Sequence, residues 1–348
     1  MKKVLVLMLA VAMFLMMFSG CSVSQTSESP SASTAQQQAS EEVATDGSTE
    51  PTAEDETFEV AVLISDMTAT YASWLSYSFN TIASDYPQLK ITTLDCGNDQ
   101  GTQISNLENC ITKGFDYVIV QPIDVTAIAS AVNSVIDAGI PVCTVNGSNN
   151  GMDRASCVDC DPVQQGAIPA AVALEQIPEN GNVVVLLGPS GNFHSNGRRE
   201  GWEETFFAVR DDVTILDEQI ANWSKDEGMA LMEDWITKYG DKIDAVVSMN
   251  DAMALGCIEA AKAADLKGLL YYGVDGLADA CLSIQAGELT ATCVQNAYAQ
   301  AGAALDIASR VLAGEIERET NNPDGELIDP SNVAKWITTH TENGQIKS

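Results

Sequence analysis

The segment Cys157-Val158-Asp159-Cys160 has the C-x-x-C spacing that serves metal binding or redox chemistry. The chain has no second C-x-x-C, and its only histidines are His194 and His340. Because a structural zinc ion takes four such ligands, we do not expect a zinc site. We also expect no other metal and no cofactor. Two interpretations of the pair stay open: a disulfide between Cys157 and Cys160, or free thiols kept reduced in an anaerobic habitat.

Patterns that support nucleophilic or phosphoryl chemistry are incomplete. Gly188-Pro189-Ser190-Gly191 is one residue short of the G-x-S-x-G nucleophile elbow. No H-E-x-x-H is present, and residues 188–201 lack the G-K-[ST] of a phosphate-binding loop. Carboxylates are abundant, so a cleft enzyme such as a glycosidase remains a remote alternative. We expect a protein without enzymatic activity.

The elements that position the polar residues alternate between strand and helix. Short apolar, β-branched runs are separated by amphipathic stretches such as Val125–Ala138 and Met253–Ala264. The predicted strands are Val60–Ser65, Ile91–Leu94, Tyr117–Gln121, Val142–Val145, Val183–Leu187, Val213–Leu216, Ala245–Met249, Leu269–Gly273 and Thr290–Val294. This alternation predicts an α/β fold with parallel sheets, and the length from Phe58 onward predicts two lobes. A ligand is then expected beyond the carboxyl ends of the strands.

Several motifs occur in the order found in one family. Val246 to Gly256 resembles the "N-D-x-M-A-x-G" junction of type I periplasmic sugar-binding proteins, whose ribose- and galactose-binding members are most similar. Gly273-Val274-Asp275-Gly276 resembles their next strand end. Residues 114–122, 138–142 and 198–202 resemble three further signatures, the last of which carries a ligand-binding arginine.

The resemblance implies two doubly wound parallel-sheet lobes joined by a three-segment hinge, closing on one small ligand. By the family pattern the N-lobe comprises residues 58–160 plus 296–328. The C-lobe comprises residues 161–295 plus 329–348. The lactose-repressor type shares this fold but begins with a DNA-binding headpiece, which this chain replaces with a signal and a linker.

Nine positions match ligand-binding positions of the family. They supply carboxylates, amides, an arginine and aromatic rings, which suit sugar hydroxyls and the apolar faces of a sugar ring. The expected ligand-binding residues are Ser65, Tyr71, Asn146, Asp159, Arg198, Trp223, Asn250, Asp275 and Gln295.

Structural alternatives remain open at most of these positions. Asn250 and Asp275 each precede a helix and have side chains that suit an N-cap. Arg198 is alternatively an exposed residue, with Arg199 as the substitute if the register is off by one. Trp223 alternatively covers the lobe surface, and Tyr71 lies in the pocket wall or in the core. His194 is interpreted as a surface residue and is not assigned to the site.

The pocket departs from the ribose-binding pattern. Asn146-Gly147 stands where those proteins carry Asp-Arg, Val274 replaces a frequent pocket aromatic, and Ala69 replaces a hydroxyl-binding Asn. An unmatched buried polar group is costly, so ribose is a doubtful ligand. Another pentose, a hexose, a polyol or a similar small molecule is expected.

The first 21 residues are typical of an export signal. Lys2 and Lys3 precede an apolar run from Val4 to Phe18, which is shorter than a membrane span of about 20 residues. The ending Ser-Gly-Cys21 resembles the bacterial lipobox, which implies cleavage after residue 20 and lipidation of Cys21. The alternative is an ordinary cleaved signal with Cys21 incidental.

Composition shapes the expected partners. Residues 22–57 are rich in Ser, Thr, Ala, Gln and acidic residues, and predict a disordered linker from the lipidated cysteine. The chain holds 49 acidic and 17 basic residues, a formal charge of −32, which disfavours nucleic acid and anionic lipid surfaces as partners.

From the signal and the family resemblance we expect an extracytoplasmic monomer, anchored to the cell membrane by lipid, that delivers its ligand to an ABC transporter permease. The alternative is presentation of the ligand to a membrane sensor kinase or chemoreceptor.

Overall fold

A computed structural model describes residues 57–347. The predicted signal, Cys21 and all but the last residue of the predicted linker lie outside these residues. Within residues 57–347, no helix is long and apolar enough to cross a membrane.

Strands and helices alternate through most of the described chain. The strands are β1 Phe58–Ile64, β2 Leu89–Asp95, β3 Tyr117–Val120, β4 Val142–Val145, β5 Ser156–Val158, β6 Asn182–Leu187, β7 Thr214–Ile220, β8 Ala245–Ser248, β9 Leu270–Asp275, β10 Ala291–Val294, β11 Thr320–Asn321 and β12 Glu326–Ile328. The helices are α1 Thr70–Ile82, α2 Gln100–Lys113, α3 Val125–Asp137, α4 Pro162–Gln176, α5 Phe193–Trp202, α6 Lys225–Tyr239, α7 Asp251–Ala263, α8 Ala278–Gln285, α9 Ala297–Leu312 and α10 Val333–Glu342.

The strands form two six-stranded sheets. The first has the order β11-β5-β4-β3-β1-β2, and all of its pairs are parallel. The second has the order β12-β10-β9-β8-β6-β7 and is parallel except at its edge, where β12 pairs antiparallel with β10. This is the α/β, two-lobed, doubly wound architecture that the sequence predicts.

The chain passes between the sheets three times. It leaves the first sheet after β5, returns to helix α9 after β10, and crosses again between β11 and β12. Helix α9 packs on α1 and on strands β3 to β5, whereas α10 packs on α8 of the second lobe. The residue boundaries of the lobes stay a prediction. That prediction places residues up to 328 in the first lobe, and β12 at Glu326–Ile328 pairs within the second sheet.

Each predicted strand corresponds to an observed one, with ends shifted by a few residues. The largest difference is β7, which continues to Ile220, four residues beyond the predicted end at Leu216. Its outer half is largely exposed and polar, so it lacks the apolar run on which the prediction depended. The short strands β5, β11 and β12 were not predicted, because two or three residues are too few to show a period.

Two glycines allow helices α4 and α5 to pack with their backbones in contact. A Cβ at Gly166 would overlap the Arg198 carbonyl, and one at Gly201 would overlap the Val163 carbonyl. Only glycine permits such a close approach. The backbone that carries Arg198 is therefore placed by direct contact with α4.

The eight cysteines beyond Cys21 are all buried free thiols in the structure. Cys157 and Cys160 are not bonded to each other: the Cys157 thiol points to the Gly147 carbonyl, and the Cys160 sulfur accepts from the Gln300 amide. The structure thus agrees with the free-thiol interpretation of the C-x-x-C pair.

Candidate ligand-binding site

Arg198 is the centre of a buried polar cluster in the second lobe. It lies on α5 and is 3% exposed. Its Nε donates to Gln165 Oε1 at 2.9 Å, and its Nη1 donates to the Met249 carbonyl at 2.7 Å. Its Nη2 donates to Gln295 Oε1 at 3.2 Å and lies 3.4 Å from Asp275 Oδ1. Partners on Nε and on both terminal nitrogens thus fix the orientation of the planar guanidinium. Arg198 is buried, so the alternative of an exposed arginine is wrong.

Asp275 ends strand β9 and is 2% exposed. Burial raises the pKa of its carboxyl above the usual value, the neighbouring Arg198 guanidinium opposes this, and the nearby Asp251 adds to it. Its φ of 129° lies in a region that non-glycine residues rarely adopt. Asp275 does not cap the next helix, because the N-cap of α8 is Leu277. A strained, buried carboxylate with a perturbed pKa is typical of a functional position.

Trp223 covers the Arg198 guanidinium, which lies 5.5 Å from the centre of the indole ring. Its φ of 63° is left-handed, as is that of Asn222 before it. Gly188 makes room for the indole, since a Cβ at that position would overlap the ring. Asn250 caps helix α7 by accepting from the Met253 N–H at 2.9 Å, and its amide donates to the Trp223 carbonyl at 3.3 Å. Asn250 is therefore an N-cap that also holds the Trp223 loop.

Asp159 and His194 form a buried pair at the first crossing between the lobes. His194 Nε2 lies 2.9 Å from Asp159 Oδ1, and the side chains are 10% and 7% exposed. His194 is one helical turn before Arg198 on α5, so both residues face the same side of the helix. The interpretation of His194 as a surface residue is wrong.

Ser65, Gln121 and Asn146 form a hydrogen-bonded row at three strand ends of the first lobe. The Ser65 hydroxyl donates to Gln121 Oε1 at 2.9 Å, and Gln121 Nε2 donates to Asn146 Oδ1 at 2.7 Å. Asn146 has a left-handed φ of 49°. Its amide nitrogen is buried and has no hydrogen-bond partner among the described residues. A buried donor without a partner is rare, and a bound ligand would satisfy it.

Tyr71 is a buried first-lobe residue whose phenol is influenced by the charges of the second-lobe cluster. Its side chain lies on α1, and its hydroxyl is buried with no hydrogen-bond partner in residues 57–347. Burial raises the pKa of its phenol well above the usual value. Cys160, Asp275 and Asp159 raise the pKa further, and Arg198 lowers it. The Tyr71 hydroxyl is thus close to charged groups of the second lobe and of the first crossing.

The nine predicted residues therefore occupy two hydrogen-bonded groups and the crossing between them. Arg198, Asp275, Gln295, Trp223 and Asn250 belong to the second-lobe group. Ser65 and Asn146 belong to the first-lobe row, with Asp159 at the crossing and Tyr71 at the junction. No hydrogen bond joins the first-lobe row to the Arg198 group within the described residues.

Three residues of these polar groups escaped the sequence analysis. Gln165, which is fully buried, bridges Arg198 and Gln295 by donating to Gln295 Oε1 at 2.8 Å. Gln121 bridges Ser65 and Asn146, and His194 pairs with Asp159. The position of Gln121 directly after β3 and the four-residue spacing of His194 from Arg198 were available signals. Within residues 57–347, no group of three or more side chains is arranged as a metal site.

Comparison with known proteins agrees with this architecture. The family model described as "Periplasmic binding protein domain" matches residues 60–316. The chain belongs to the periplasmic binding protein family. The family that the sequence motifs indicate is thereby confirmed, and so is its fold.

Known periplasmic binding proteins similar to this one include two relatives and a solved structure. A xylitol-binding protein of Mycolicibacterium smegmatis is 33% identical over 63% of this chain, and the chain covers 62% of the length of that relative. A putative rhizopine-binding protein of Rhizobium meliloti is 31% identical over 70% of this chain and 80% of its own. An ABC transporter solute-binding protein from Bacillus halodurans with bound myo-inositol superposes with a TM-score of 0.76 at 29% identity, over 82% of this chain and 99% of its own. All three are named for binding a solute.

Proposed function

We propose that this periplasmic binding protein captures a neutral sugar or polyol between its lobes and delivers it to an ABC transporter permease. The observation that carries the proposal is the buried Arg198–Asp275–Gln295 cluster of the second lobe, together with the buried, unpartnered polar groups of Tyr71 and Asn146 in the first lobe. Contacts from both lobes would make a ligand favour the closed form, as capture and release require.

The balance of charge supports a neutral ligand. The positive charge of Arg198 is balanced by the carboxylate of Asp275. A carboxylate or phosphate ligand would compete with Asp275 for Arg198, and a cation would compete with Arg198 for Asp275. Hydroxyl groups donate and accept together, so they suit the carboxylate, the guanidinium and the free Asn146 amide at once.

The relatives favour a polyhydroxylated ligand other than ribose. One relative is named for binding xylitol, and the solved structure has bound myo-inositol. Both compounds carry a hydroxyl on every carbon and have no anomeric centre. At the position where the ribose pattern carries Asp-Arg, Asn146 presents a neutral amide donor. We therefore propose a polyol as the first ligand to test.

The chemistry of the cluster supports binding over catalysis. Asp275 and Asp159 are each tied to a basic partner. These pairings disfavour the roles of nucleophile and general base that a glycosidase requires. We also propose that the protein acts outside the cytoplasm and is held to the membrane through lipid on Cys21, as a monomer. The Ser-Gly-Cys ending of the signal supports the anchor.

A thermal-shift panel tests the function. The protein is heated with pentoses, hexoses, xylitol, myo-inositol and non-sugar solutes. A ligand at 1,000 times its Kd should stabilise the fold by about 4 kcal/mol, which gives a clear rise in Tm. A shift with a sugar or polyol that disappears in Asp275→Ala supports the proposal. No shift from any polyhydroxylated compound refutes the ligand class.

A further inference from the structure

The buried histidine of the C-terminal helix contacts both lobes near the candidate site. His340 on α10 is 1% exposed. Its Nε2 lies 2.8 Å from the Gly276 carbonyl, one residue beyond Asp275. Its ring lies 5.2 Å from the ring of Trp74 on α1 of the first lobe, and Trp74 in turn packs edge-on against Tyr71 at 5.8 Å. A row of three rings thus joins the candidate pocket wall to the C-terminal helix.

The turn after Asp275 is held from two directions. Asp251 accepts from the Leu277 N–H at 2.9 Å and from the Thr292 hydroxyl at 2.6 Å. His340 donates to the carbonyl of the same Gly276, whose φ is +70°. Because Asp275 has a strained φ, its orientation depends on these anchors of the residues that follow it.

The chain beyond α10 also reaches the first lobe. Gln345 and Ile346 donate to the His340 carbonyl, so the tail folds back over the end of the helix. A Cβ at Gly344 would lie 2.7 Å from the Tyr77 hydroxyl on α1. Gln345 lines a groove of about 380 Å³ together with Thr68, Ser73 and Trp74 of the first lobe.

We propose that His340 is a positioning residue for ligand capture: it fixes the turn that follows Asp275 and contacts Trp74 of the first lobe in the closed form. We call this contact between His340 and Trp74 the clasp. The proposal rests on the proposed function of the cleft. The Trp74–His340 contact is lost when the lobes separate, so it stabilises the closed form. The C-terminal helix therefore raises ligand affinity without touching the ligand.

Ionisation of His340 opposes the clasp. Burial lowers the pKa of the His340 imidazole. With Nε2 donating to Gly276, Nδ1 is buried and has no partner in the described residues. Protonation would bury an unsatisfied N–H, so acid disfavours the clasped form. The titratable groups on the surrounding elements are Asp275 and Asp251 beside Gly276, Asp279 on α8, Tyr71 and Tyr77 on α1, and Lys335 and Glu342 on α10.

Calorimetric titration with myo-inositol at pH 7.5 and pH 5.5 tests the proposal. His340→Leu should bind roughly three- to tenfold more weakly than wild type at pH 7.5, since it loses one hydrogen bond and the ring contact. His340→Gln keeps a donor to Gly276 without a charge. It should bind like wild type at pH 7.5 and lose less affinity at pH 5.5. Thr338→Ala, on the exposed side of α10, is the control and should change nothing.

Two outcomes overturn the proposal: His340→Leu binds like wild type at both pH values, or His340→Gln loses as much affinity in acid as wild type does. Because the chain has only two histidines, the other being His194, His340→Gln isolates a single titration. If wild type binds neither myo-inositol nor xylitol, the proposed ligand class fails. The clasp is then tested by NMR titration of the two imidazoles: Trp74→Leu should raise the His340 pKa, and an unchanged pKa overturns the clasp.

A double-mutant cycle tests the tail contact independently. Gly344→Ala places a methyl group against Tyr77 Oη at a residue with φ +74°, and should weaken binding. Tyr77→Phe removes that oxygen and leaves the nearest ring carbon at 3.8 Å, an ordinary contact. Tyr77→Phe should therefore restore part of the affinity lost in Gly344→Ala. Strictly additive effects would show that the tail does not meet α1 in the liganded protein.

Discussion

The Arg198 guanidinium lies 3.4 Å from the Asp275 carboxylate, and each side chain is 3% exposed. A buried ion pair repays the cost of desolvation only when further hydrogen bonds satisfy both groups. Arg198 has such partners in Gln165, Gln295 and Met249, whereas the Asp275 carboxylate has no other polar contact within residues 57–347. The Asp275 carboxylate therefore keeps acceptor capacity for ligand hydroxyls.

Replacing Asp275 by Asn should weaken ligand binding strongly. The change keeps the shape but removes an acceptor and leaves Arg198 without its counter-charge. We expect a loss of about 2–4 kcal/mol, roughly 30- to 1,000-fold in Kd. Calorimetric titration measures it, and a change below threefold would contradict the role of Asp275.

Arg198→Lys should weaken binding by at least about tenfold, because an ammonium group cannot keep the fixed fork to Gln165, Gln295 and the Met249 carbonyl. The neighbouring Arg199→Lys is the matched control. Arg199 pairs at the surface with Glu203 and Glu218, so its replacement should leave Kd unchanged. Equal effects of the two substitutions would show that the register of the arginine assignment is wrong.

Gly166→Ala should lower both stability and affinity although Gly166 does not face the ligand. The new methyl group overlaps the Arg198 carbonyl and forces α5 away from α4. Overpacking of this kind typically costs about 1–3 kcal/mol. Gly302→Ala, where the nearest atom is Ile82 Cδ1 at 3.9 Å, is the control and should be tolerated. Chemical denaturation and titration on both variants check the prediction, and an unchanged Kd in Gly166→Ala would contradict it.

Five positions show how far the sequence was sufficient. Arg198 and Asp275 were predicted because they belong to motifs whose order along the chain indicates a family. Gly166 and Gln165 belong to no such motif, and their importance arises from the contact of α4 with α5. His340 shows the same limit, since a histidine near the end of a polar helix gives no sign that a distant tryptophan covers it. Sequence periodicity predicted the sheets well, but not which side chains bridge between helices.

Stability should fall as pH rises through the titration of Asp251. Burial raises the pKa of this carboxyl to about 6. Between its unfolded value of about 4 and about 6 the native state binds more protons than the unfolded state, so each pH unit removes at most about 1.4 kcal/mol. Asp251→Asn lacks this pH-dependent contribution to the free energy of unfolding. The stability of wild type relative to Asp251→Asn should therefore decrease from pH 4 to pH 6, as measured by urea unfolding. A difference that stays constant or increases would contradict the prediction.

The eight buried thiols should resist modification in the native protein. Burial raises the pKa values of Cys110, Cys157 and Cys160 to about 11, so little thiolate is present at neutral pH. We expect slow reaction with an aromatic disulfide reagent in buffer and complete reaction in denaturant, without prior reduction. Two thiols missing from the denatured count would indicate a Cys157–Cys160 disulfide.

A crystal structure with the ligand that gives the largest thermal shift tests the central claim most directly. We expect one ligand between Tyr71 and Asp275, with its hydroxyls bonded to Asp275, Arg198 and the Asn146 amide. A ligand found instead in the groove beside Trp74 and Lys225, with the Arg198 cluster untouched, would contradict the account.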